Sequence, residues 1–233
     1  YFYGFMLPNT SYLKDLSLQF FEPGVRLGQK EVIFRYFKLF QVMKDYEEWG
    51  KLIGVPTVAK LNEKIVQGQI KELMLMSEAM IEKKLAELAT QIAHQKNHVR
   101  MILIAGPSSA GKTTFSKRLC IHLRILGMKP ITISMDDFYL NRVDTPRLPD
   151  GSFDFENIEA VDLKLFNKTM LQLIHHESVC LPHYNFKTGQ RSFDTQPTFL
   201  DDDHILIIEG IHGLNPRTSS YIPEEAKIKI YIN

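Results

Sequence analysis

Apolar runs alternate with helix-like patterns through the second half of the chain. Four runs have the length and composition of buried strands: MILIA (101–105), PITISM (130–135), HILIIEG (204–210) and KIKIYI (227–232). Two segments between them repeat apolar residues at helical spacing: TTFSKRLCIHLRILG (113–127) and VDLKLFNKTMLQLIHH (161–176). Strands that alternate with helices are typical of a parallel sheet covered by crossover helices. The pattern therefore predicts an α/β domain over residues 99–233, with a hairpin at the turn sequence KTGQ (187–190).

A different pattern precedes this domain. Residues 1–56 are rich in aromatic and β-forming residues and contain turn signals at Pro8-Asn9, Pro23-Gly24 and Gly54. The stretch VIFRYFKLFQV (32–42) fits either a strand or a helix, because its periodicity does not decide between them. We expect a smaller α+β region here.

Residues 57–98 show the spacing of a long amphipathic helix. Apolar residues recur every three or four positions at Leu61, Ile65, Ile70, Leu73, Met74, Met80, Leu85, Leu88 and Ile92. Gly68 marks a predicted interruption. We expect this segment to link the α+β region to the α/β domain.

Composition narrows the class of protein. Of the 233 residues, 44% are hydrophobic and 24% are charged, as in ordinary globular proteins. The net charge of +1 gives no bulk attraction to nucleic acid or to a membrane surface. Two cysteines cannot form a disulfide framework, which suits a reducing cytoplasm. No run approaches membrane-spanning length. We expect a cytoplasmic protein with neither a membrane nor a nucleic-acid partner, and no feature indicates its oligomeric state.

The strongest motif is GPSSAGKT, Gly106 to Thr113, which matches G-x-x-x-x-G-K-[ST] between a predicted strand and a predicted helix. Its glycines let backbone N–H groups curl around phosphate, and the helix N-terminus adds partial positive charge. Lys112 supplies a cation for the β- and γ-phosphates, and Thr113 offers a hydroxyl to Mg²⁺. The alternative is an ordinary Gly/Ser turn, but the complete motif in this context favours a nucleoside triphosphate site. The predicted site comprises Gly106, Pro107, Ser108, Ser109, Ala110, Gly111, Lys112, Thr113 and Thr114.

Carboxylates follow two of the predicted strands. Asp136 and Asp137 come directly after ITISM, and Glu209 ends HILIIE. Because parallel strands open their carboxyl ends onto one crevice, these acids are expected near the phosphates. A carboxylate at Asp136 could take the proton of an acceptor hydroxyl or hold Mg²⁺ through water, and Glu209 has the form of a Walker-B acid. The alternative for the aspartates is a simple strand-ending turn.

Two further segments mix aromatic rings with polar groups. SFDFENIEAVD (152–162) holds Phe153, Phe155 and Glu156, and LPHYNFKTGQR (181–191) holds Tyr184, Phe186 and Arg191. Flat rings can stack on a base, and carboxylates can accept hydrogen bonds from sugar hydroxyls. Core aromatics and surface acids are the alternative interpretation.

The motifs GPSSAGKTTFSKRL, SMDDFY, FDFENIEAVD, LPHYNF and LIIEG, in this order, resemble the uridine kinase and phosphoribulokinase superfamily of P-loop kinases over about residues 99–233. The stretch YFYGFMLPNTSYLKDLSLQFFEPG resembles the threonyl-tRNA-synthetase-like region fused ahead of some bacterial-type uridine kinase homologues. The resemblance implies ATP as the donor, Asp136 as the catalytic base with Lys112 at the phosphates, and Mg²⁺ among Thr113, Asp136 and Glu209. It also implies acceptor contacts, which fall on Phe155, Glu156, Tyr184, Phe186 and Arg191.

Two departures from the family pattern limit what the resemblance implies. Gly189 stands where uridine kinases carry the histidine that reads the pyrimidine. The chain also ends at Asn233, before the family's arginine-bearing lid, and it begins without methionine. We therefore expect a fragment of a longer protein whose catalysis by itself is reduced by about 10³-fold or more, since an arginine clamp is commonly worth that factor.

The leading hypothesis is ATP- and Mg²⁺-dependent phosphorylation of a small acceptor, with a nucleoside 5′-hydroxyl as the preferred target. A kinase of the same superfamily for a sugar phosphate or a pantothenate-like acceptor stays open because of Gly189. A third alternative is a nucleotide-gated binding module whose N-terminal region binds RNA or a partner.

Overall fold

The structure is a computed structural model that describes residues 8–12, 14, 16–21, 24–29 and 37–232. The chain divides into two compact units, Tyr1–Leu75 and Met76–Asn233. The domain boundaries predicted at 56/57 and 98/99 stay predictions. In the described part, no helix is both long enough and apolar enough to cross a bilayer.

The first unit contains an antiparallel hairpin and two helices: β1 (Leu16–Phe21), β2 (Gly24–Gln29), α1 (Phe37–Leu52) and α2 (Val58–Val66). Residues 37–42 of the ambiguous stretch VIFRYFKLFQV are helical, whereas residues 32–36 lie outside the described residues. Residues 1–7, 13, 15, 22 and 23 of the stretch that resembles a synthetase also lie outside them.

The predicted helix over residues 57–98 is interrupted near Gly68, as expected. Thr57 caps α2 by accepting a hydrogen bond from the Lys60 N–H at 3.3 Å. Gly68 then takes a left-handed conformation with φ of +75°. The next helix, α3, begins at Ile70 and ends at His94. The boundary between the two units falls within α3.

The second unit is built on a four-stranded parallel sheet. Its elements in chain order are β3 (Met101–Ala105), α4 (Lys112–Ile125), β4 (Lys129–Ser134), α5 (Leu163–Ile174), β5 (Pro182–Asn185), β6 (Gln190–Phe193), β7 (His204–Glu209) and β8 (Lys227–Tyr231). The strands of the sheet lie in the order β4-β7-β3-β8. The predicted α/β fold with a parallel sheet and flanking helices is confirmed.

Hydrophobic residues cover both faces of this sheet, which explains why its central strands read as continuous apolar runs. On one face, Met101 and Leu103 of β3 pack in a core with Phe166 of α5. On the other face, Ile102 and Ile104 belong to a second core that includes residues of α3 and α4. Successive side chains of a strand point to opposite faces, so this division follows from the pleat of β3.

The predicted hairpin at KTGQ is also present. Strands β5 and β6 pair antiparallel, with Tyr184 opposite Arg191. Gly189 in the connecting turn has φ of +71°, a conformation that glycine adopts without strain. The Asp137 carboxylate accepts a hydrogen bond from the Tyr184 N–H at 3.2 Å. This contact ties the hairpin to the segment that follows β4.

Candidate nucleotide and acceptor site

The phosphate-binding motif forms the turn between β3 and α4. Gly106 is buried, and a Cβ atom there would lie 2.2 Å from the carbonyl oxygen of Ile232. Gly111 caps the N-terminus of α4 with φ of +84°, and Ser109 also has a positive φ of 63°. The loop from Pro107 to Ser109 is exposed. A helix N-terminus reached through such a turn directs its N–H groups outward and favours an anion.

Lys112 lies across this loop. Its ammonium group donates a hydrogen bond to the carbonyl oxygen of Pro107 at 2.8 Å. The side chain is therefore folded toward the turn that the motif predicts for phosphate.

Thr113 and Glu209, 96 residues apart, meet at the sheet edge. The Thr113 hydroxyl donates to Glu209 Oε1 at 2.9 Å. Glu209 ends β7, where it pairs in register with Ser134 of β4 on one side and Ile104 of β3 on the other. The sheet order therefore brings the carboxylate to the start of α4.

Asp136 lies in a short 3₁₀ helix, Met135–Phe138, directly after β4. Ser134 starts this turn, because its hydroxyl accepts a hydrogen bond from the Asp136 N–H at 3.3 Å. Burial, together with the charges of Glu209 and Asp137, raises the pKa of Asp136, although Lys112 and His212 act in the opposite direction. Asp136 and Glu209 thus lie close enough for the charge of Glu209 to affect Asp136, and their predicted place beside the phosphates stays a prediction.

These side chains fit a magnesium ion that is bound with a nucleotide. No group of three or more His, Cys, Asp or Glu side chains among the described residues is placed to hold a metal by itself. Mg²⁺ is usually held by one or two carboxylates together with water and substrate phosphates, rather than by a closed protein cage. The hydroxyl of Thr113 with the carboxylates of Asp136 and Glu209 supplies a donor set of that kind.

Tyr139 is a candidate site residue that sequence reasoning did not single out, although it completes the quoted motif DDFY. Its hydroxyl donates to the carbonyl oxygen of Phe155 at 2.9 Å. Burial and the nearby charge of Asp136 raise the pKa of Tyr139 far above its usual range, and the exposed Glu156 adds to the effect. The sequence signal that could have identified Tyr139 is its place in this motif, three residues after Asp136.

Tyr139 is also the centre of an aromatic cluster formed by Tyr139, Phe155, Tyr184 and Phe186. Its ring centroid lies 5.4 Å from that of Phe155, 5.7 Å from Tyr184 and 5.9 Å from Phe186. The structure thus brings together three of the five residues predicted to contact the acceptor. Phe186 is half exposed, whereas Tyr184 is buried.

Two buried polar atoms in this region lack a protein partner. The Tyr184 hydroxyl and His212 Nε2 have no hydrogen-bond partner within the described part of the chain. Burial lowers the pKa of His212, while the backbone of Glu156 and the charge of Asp136 act in the opposite direction. His212 follows Glu209 closely, and sequence reasoning missed it because a single histidine carries no spacing signal. Buried polar groups are ordinarily satisfied by protein or by water, so both atoms have hydrogen-bonding capacity that a water molecule or a polar ligand would use.

Arg191 forms an ion pair and a hydrogen bond within the protein. Its guanidinium forms an ion pair with Asp162 at 3.1 Å, and the side chain is only 18% exposed. The backbone N–H of Arg191 donates to the Asn141 side chain at 3.0 Å. Its predicted contact with the acceptor stays a prediction.

Gly189 faces an arginine. A Cβ atom at position 189 would lie 2.7 Å from Arg142 Cβ and 2.8 Å from Arg142 Nε. The Arg142 N–H also donates to the Gly189 carbonyl at 2.8 Å, and its guanidinium donates to the Phe186 carbonyl. The space that a larger residue at position 189 would need is therefore filled by Arg142.

Comparison with known families assigns the second unit to a family. The model of the Phosphoribulokinase / Uridine kinase family matches residues 101–233, which is more than half of the chain. The chain belongs to this family.

Several curated proteins are similar to this member of the family. Inorganic pyrophosphatase TTM2 of Arabidopsis thaliana is 34% identical over 134 residues, and the uridine kinase of Schizosaccharomyces pombe is 34% identical over 118 residues. The uridine kinase of Leuconostoc citreum is 24% identical over 133 residues. The matched parts cover 55%, 50% and 57% of this chain, but only 18%, 25% and 61% of those relatives.

A solved structure supports the fold. A possible uridine kinase from Bacillus stearothermophilus superposes with a TM-score of 0.52 at 23% identity, covering 64% of this chain and 79% of the other. The two proteins share the P-loop kinase fold.

Proposed function

We propose that this family member transfers the γ-phosphoryl group of ATP to a hydroxyl of a small acceptor. The observation that carries the proposal is the meeting of three parts at one sheet edge: the P-loop with Lys112, the pair of Thr113 and Glu209, and Asp136 with its raised pKa. A P-loop alone would be equally consistent with a switch or a motor.

In the proposed reaction, the loop N–H groups and Lys112 hold the β- and γ-phosphates of ATP. Asp136 accepts the proton of the acceptor hydroxyl as that oxygen bonds to the γ-phosphorus and the bond to the bridging oxygen of ADP breaks. A carboxylate positioned beside an acceptor hydroxyl can take its proton as the oxygen attacks phosphorus. Thr113, Asp136 and Glu209 would hold Mg²⁺, which offsets charge on the phosphates when bound.

The acceptor enters beside the aromatic cluster in this proposal. Phe155, Tyr184 and Phe186 would contact it, and Glu156 would accept hydrogen bonds from its hydroxyls. The Tyr184 hydroxyl, buried without a partner among the described residues, is available to a polar group of the acceptor. A nucleoside 5′-hydroxyl is the target that the family resemblance implies.

A second candidate within the family is a kinase for a different small acceptor, and Arg142 favours it. Arg142 occupies the space that a base-reading histidine at position 189 would need, which supports an acceptor other than a pyrimidine nucleoside.

The proposal is tested with full-length protein, ATP, Mg²⁺ and a panel of nucleosides, sugar phosphates and hydroxy acids, analysed by mass spectrometry. We expect one class of acceptor to gain a phosphoryl group while ADP forms in equal amount. ATP binding without any phosphorylated product would contradict the kinase. Salt-dependent tRNA binding in addition would favour the nucleotide-gated binding module.

Two other statements stay predictions. The kinship of the first unit to a threonyl-tRNA-synthetase-like region rests on the resemblance of residues 1–24 alone. The cytoplasmic localisation of the protein rests on its cysteine usage. Fractionation of cells that express the tagged protein tests the second prediction.

A further inference from the structure

The turn that follows β7 places His212 at the edge of the sheet. His212 comes three residues after Glu209 and lies in a turn over residues 211–214. Its carbonyl oxygen accepts hydrogen bonds from the Asn215 N–H at 2.9 Å and from the buried Thr218 hydroxyl at 2.8 Å. The backbone that carries the His212 side chain is therefore fixed within the turn.

Two glycines bring this turn into close contact with both sides of the site. A Cβ atom at Gly210 would lie 2.7 Å from Met135 Cβ, in the residue directly before the proposed catalytic base. A Cβ atom at Gly213 would lie 2.8 Å from the carbonyl oxygen of Ile104 in β3, the strand that leads into the P-loop. A larger residue at either position would push the turn away. His212 is therefore held between the phosphate turn and the segment that carries the proposed base.

This part of the chain also contacts the acceptor segment, residues 152–162, which holds two of the predicted acceptor contacts. The Arg217 guanidinium donates a hydrogen bond to the Glu159 carboxylate at 2.6 Å. The backbone of Glu156 acts as a hydrogen-bond partner of the His212 ring. Three parts of the fold therefore meet around His212: the end of β3, the segment after β4 and the acceptor segment.

The His212 ring keeps one nitrogen without a protein partner. Nε2 is buried, and no hydrogen-bond partner for it lies within the described part of the chain. Burial lowers the pKa of His212 and so favours the neutral ring, which has one N–H donor and one acceptor nitrogen. The backbone of Glu156 acts against this lowering of the pKa, as a carbonyl oxygen that receives the ring N–H does. The nitrogen that remains for a ligand is therefore the acceptor.

His212 also lies near the proposed base. The charge of Asp136 acts on the pKa of His212, and the charge of His212 acts on the pKa of Asp136. In the proposed reaction, Asp136 takes the proton of the reacting hydroxyl, so the two side chains would face different groups of the acceptor. A hydroxyl fits Nε2 because it can donate a hydrogen bond, whereas the ionised phosphate oxygens of ATP only accept.

We propose that His212 is a specificity-determining residue, whose Nε2 accepts a hydrogen bond from a hydroxyl of the acceptor other than the one that is phosphorylated. The inference rests on the proposed phosphoryl transfer and specifies the acceptor as a molecule with at least two hydroxyls, such as a sugar or a nucleoside. An acceptor with a single hydroxyl would leave Nε2 without a partner, which carries the cost of an unmade hydrogen bond. Gly210 and Gly213 are part of this arrangement because they set the position of His212.

A binding experiment with matched probes tests this contact. Full-length protein saturated with ADP and Mg²⁺ is titrated calorimetrically with adenosine, uridine and ribose 5-phosphate. Each probe is compared with the form that lacks the hydroxyl at carbon 2 of the ribose, and both nucleosides are also compared with the forms that lack the hydroxyl at carbon 3. In at least one pair, we expect the hydroxylated probe to bind about 2- to 10-fold more tightly, the usual contribution of a neutral hydrogen bond.

Variants assign this preference to His212. The side chain in His212→Asn is too short to reach the position of Nε2, so the preference should disappear while the affinities for the deoxy probe and for ADP stay unchanged. His212→Gln, whose amide oxygen can reach that position, should retain part of the preference. A purely structural role would instead weaken both probes of a pair equally. His98→Asn, at an exposed histidine, is the matched control and should have no effect.

The outcomes separate this inference from the proposed function. Failure of every probe to bind the natural sequence, an unchanged preference in His212→Asn, or equal weakening of both probes would overturn the role of His212. A higher Mg²⁺ requirement for ADP binding in His212→Asn, with the preference unchanged, would also overturn it and assign Nε2 to a water of the cation. Phosphorylation of any acceptor alongside these results would leave the kinase intact. A preference that depends on His212, without transfer to any acceptor, would support the contact and contradict the kinase.

Discussion

The Thr113 hydroxyl donates a hydrogen bond to the Glu209 carboxylate at 2.9 Å, and this contact joins the P-loop helix to the end of β7. Neither residue could reach the other without the parallel sheet, since β3 and β7 must lie side by side with Ile104 opposite Glu209. The pair brings a hydroxyl and a carboxylate together at the start of α4, and oxygen groups of this kind are the ligands that Mg²⁺ prefers.

The first prediction concerns Glu209. Glu209→Gln keeps the shape of the side chain and removes its charge, so the Mg²⁺ concentration that gives half-maximal turnover should rise about 10- to 100-fold. Activity measured across a Mg²⁺ titration checks this, with nucleotide binding in EDTA expected to stay unchanged. Glu225→Gln, at an exposed glutamate, is the control. An unchanged Mg²⁺ dependence in Glu209→Gln would remove Glu209 from the cation site.

A second prediction separates backbone strain from nucleotide binding. Gly111 and Gly127 have φ of +84° and +81°, and a Cβ atom at either position would meet nothing within 4 Å. Alanine at either site should therefore lower the free energy of unfolding by about 1–2 kcal/mol, the cost of a left-handed conformation. Denaturant unfolding measures this loss.

Only one of the two alanine variants should affect the nucleotide. Gly111 lies in the phosphate turn, whereas Gly127 follows the end of α4. ATP affinity, measured by calorimetry, should fall in Gly111→Ala and stay unchanged in Gly127→Ala. Equal affinities in the two variants would place the phosphates elsewhere.

The third prediction concerns position 189. Gly189→His should destabilise the β5–β6 turn, because its Cβ would lie within 3 Å of Arg142 and its φ of +71° disfavours a side chain. The double variant Gly189→His, Arg142→Gly removes the whole Arg142 side chain, including the Cβ at 2.7 Å, but keeps the strain at position 189. It should recover part of the lost stability in thermal unfolding. If removal of Arg142 recovers nothing, the contact between the two positions is not the cause.

The fourth prediction uses the two cysteines, both free, as reporters of the fold. Cys120 is buried in α4 and Cys180 is exposed. Burial raises the pKa of the Cys120 thiol, and only the thiolate reacts with alkylating reagents. At neutral pH, iodoacetamide should therefore label Cys180 first, and labelling of Cys120 should need a higher pH or unfolding. Peptide mass spectrometry reads both sites, and equal labelling at neutral pH would contradict the packing of α4.

Local patterns allowed much of this structure to be predicted. The strand MILIA and the motif at Gly106–Thr113 are contiguous, so their geometry follows from short-range rules, and the apolar run before Glu209 identified β7. The α/β fold could be predicted for the same reason, because its central strands are contiguous apolar runs and its helices repeat apolar residues at helical spacing.

Relationships between distant segments could not be read from the sequence. Arg191 matched a family position, yet the structure pairs it with Asp162, a partner 29 residues away that no local pattern indicates. Arg142 begins a short 3₁₀ helix, Arg142–Asp144, and Arg147 lies in the loop after it; the cavity that both residues line exists only once the β5–β6 hairpin packs beside this segment. His212 and Tyr139 became candidates through burial and proximity to Asp136, which are tertiary properties.

The central claim is that Asp136 accepts the proton of an acceptor hydroxyl during phosphoryl transfer. The most direct test measures transfer of labelled γ-phosphoryl from ATP to the acceptor by full-length protein, for the natural sequence and for Asp136→Asn. Asp202→Asn, at an exposed carboxylate, is the control. We predict that kcat falls about 10²- to 10⁴-fold in Asp136→Asn, the usual contribution of a general base, while ATP affinity is retained. Transfer at the natural rate by Asp136→Asn would contradict the account.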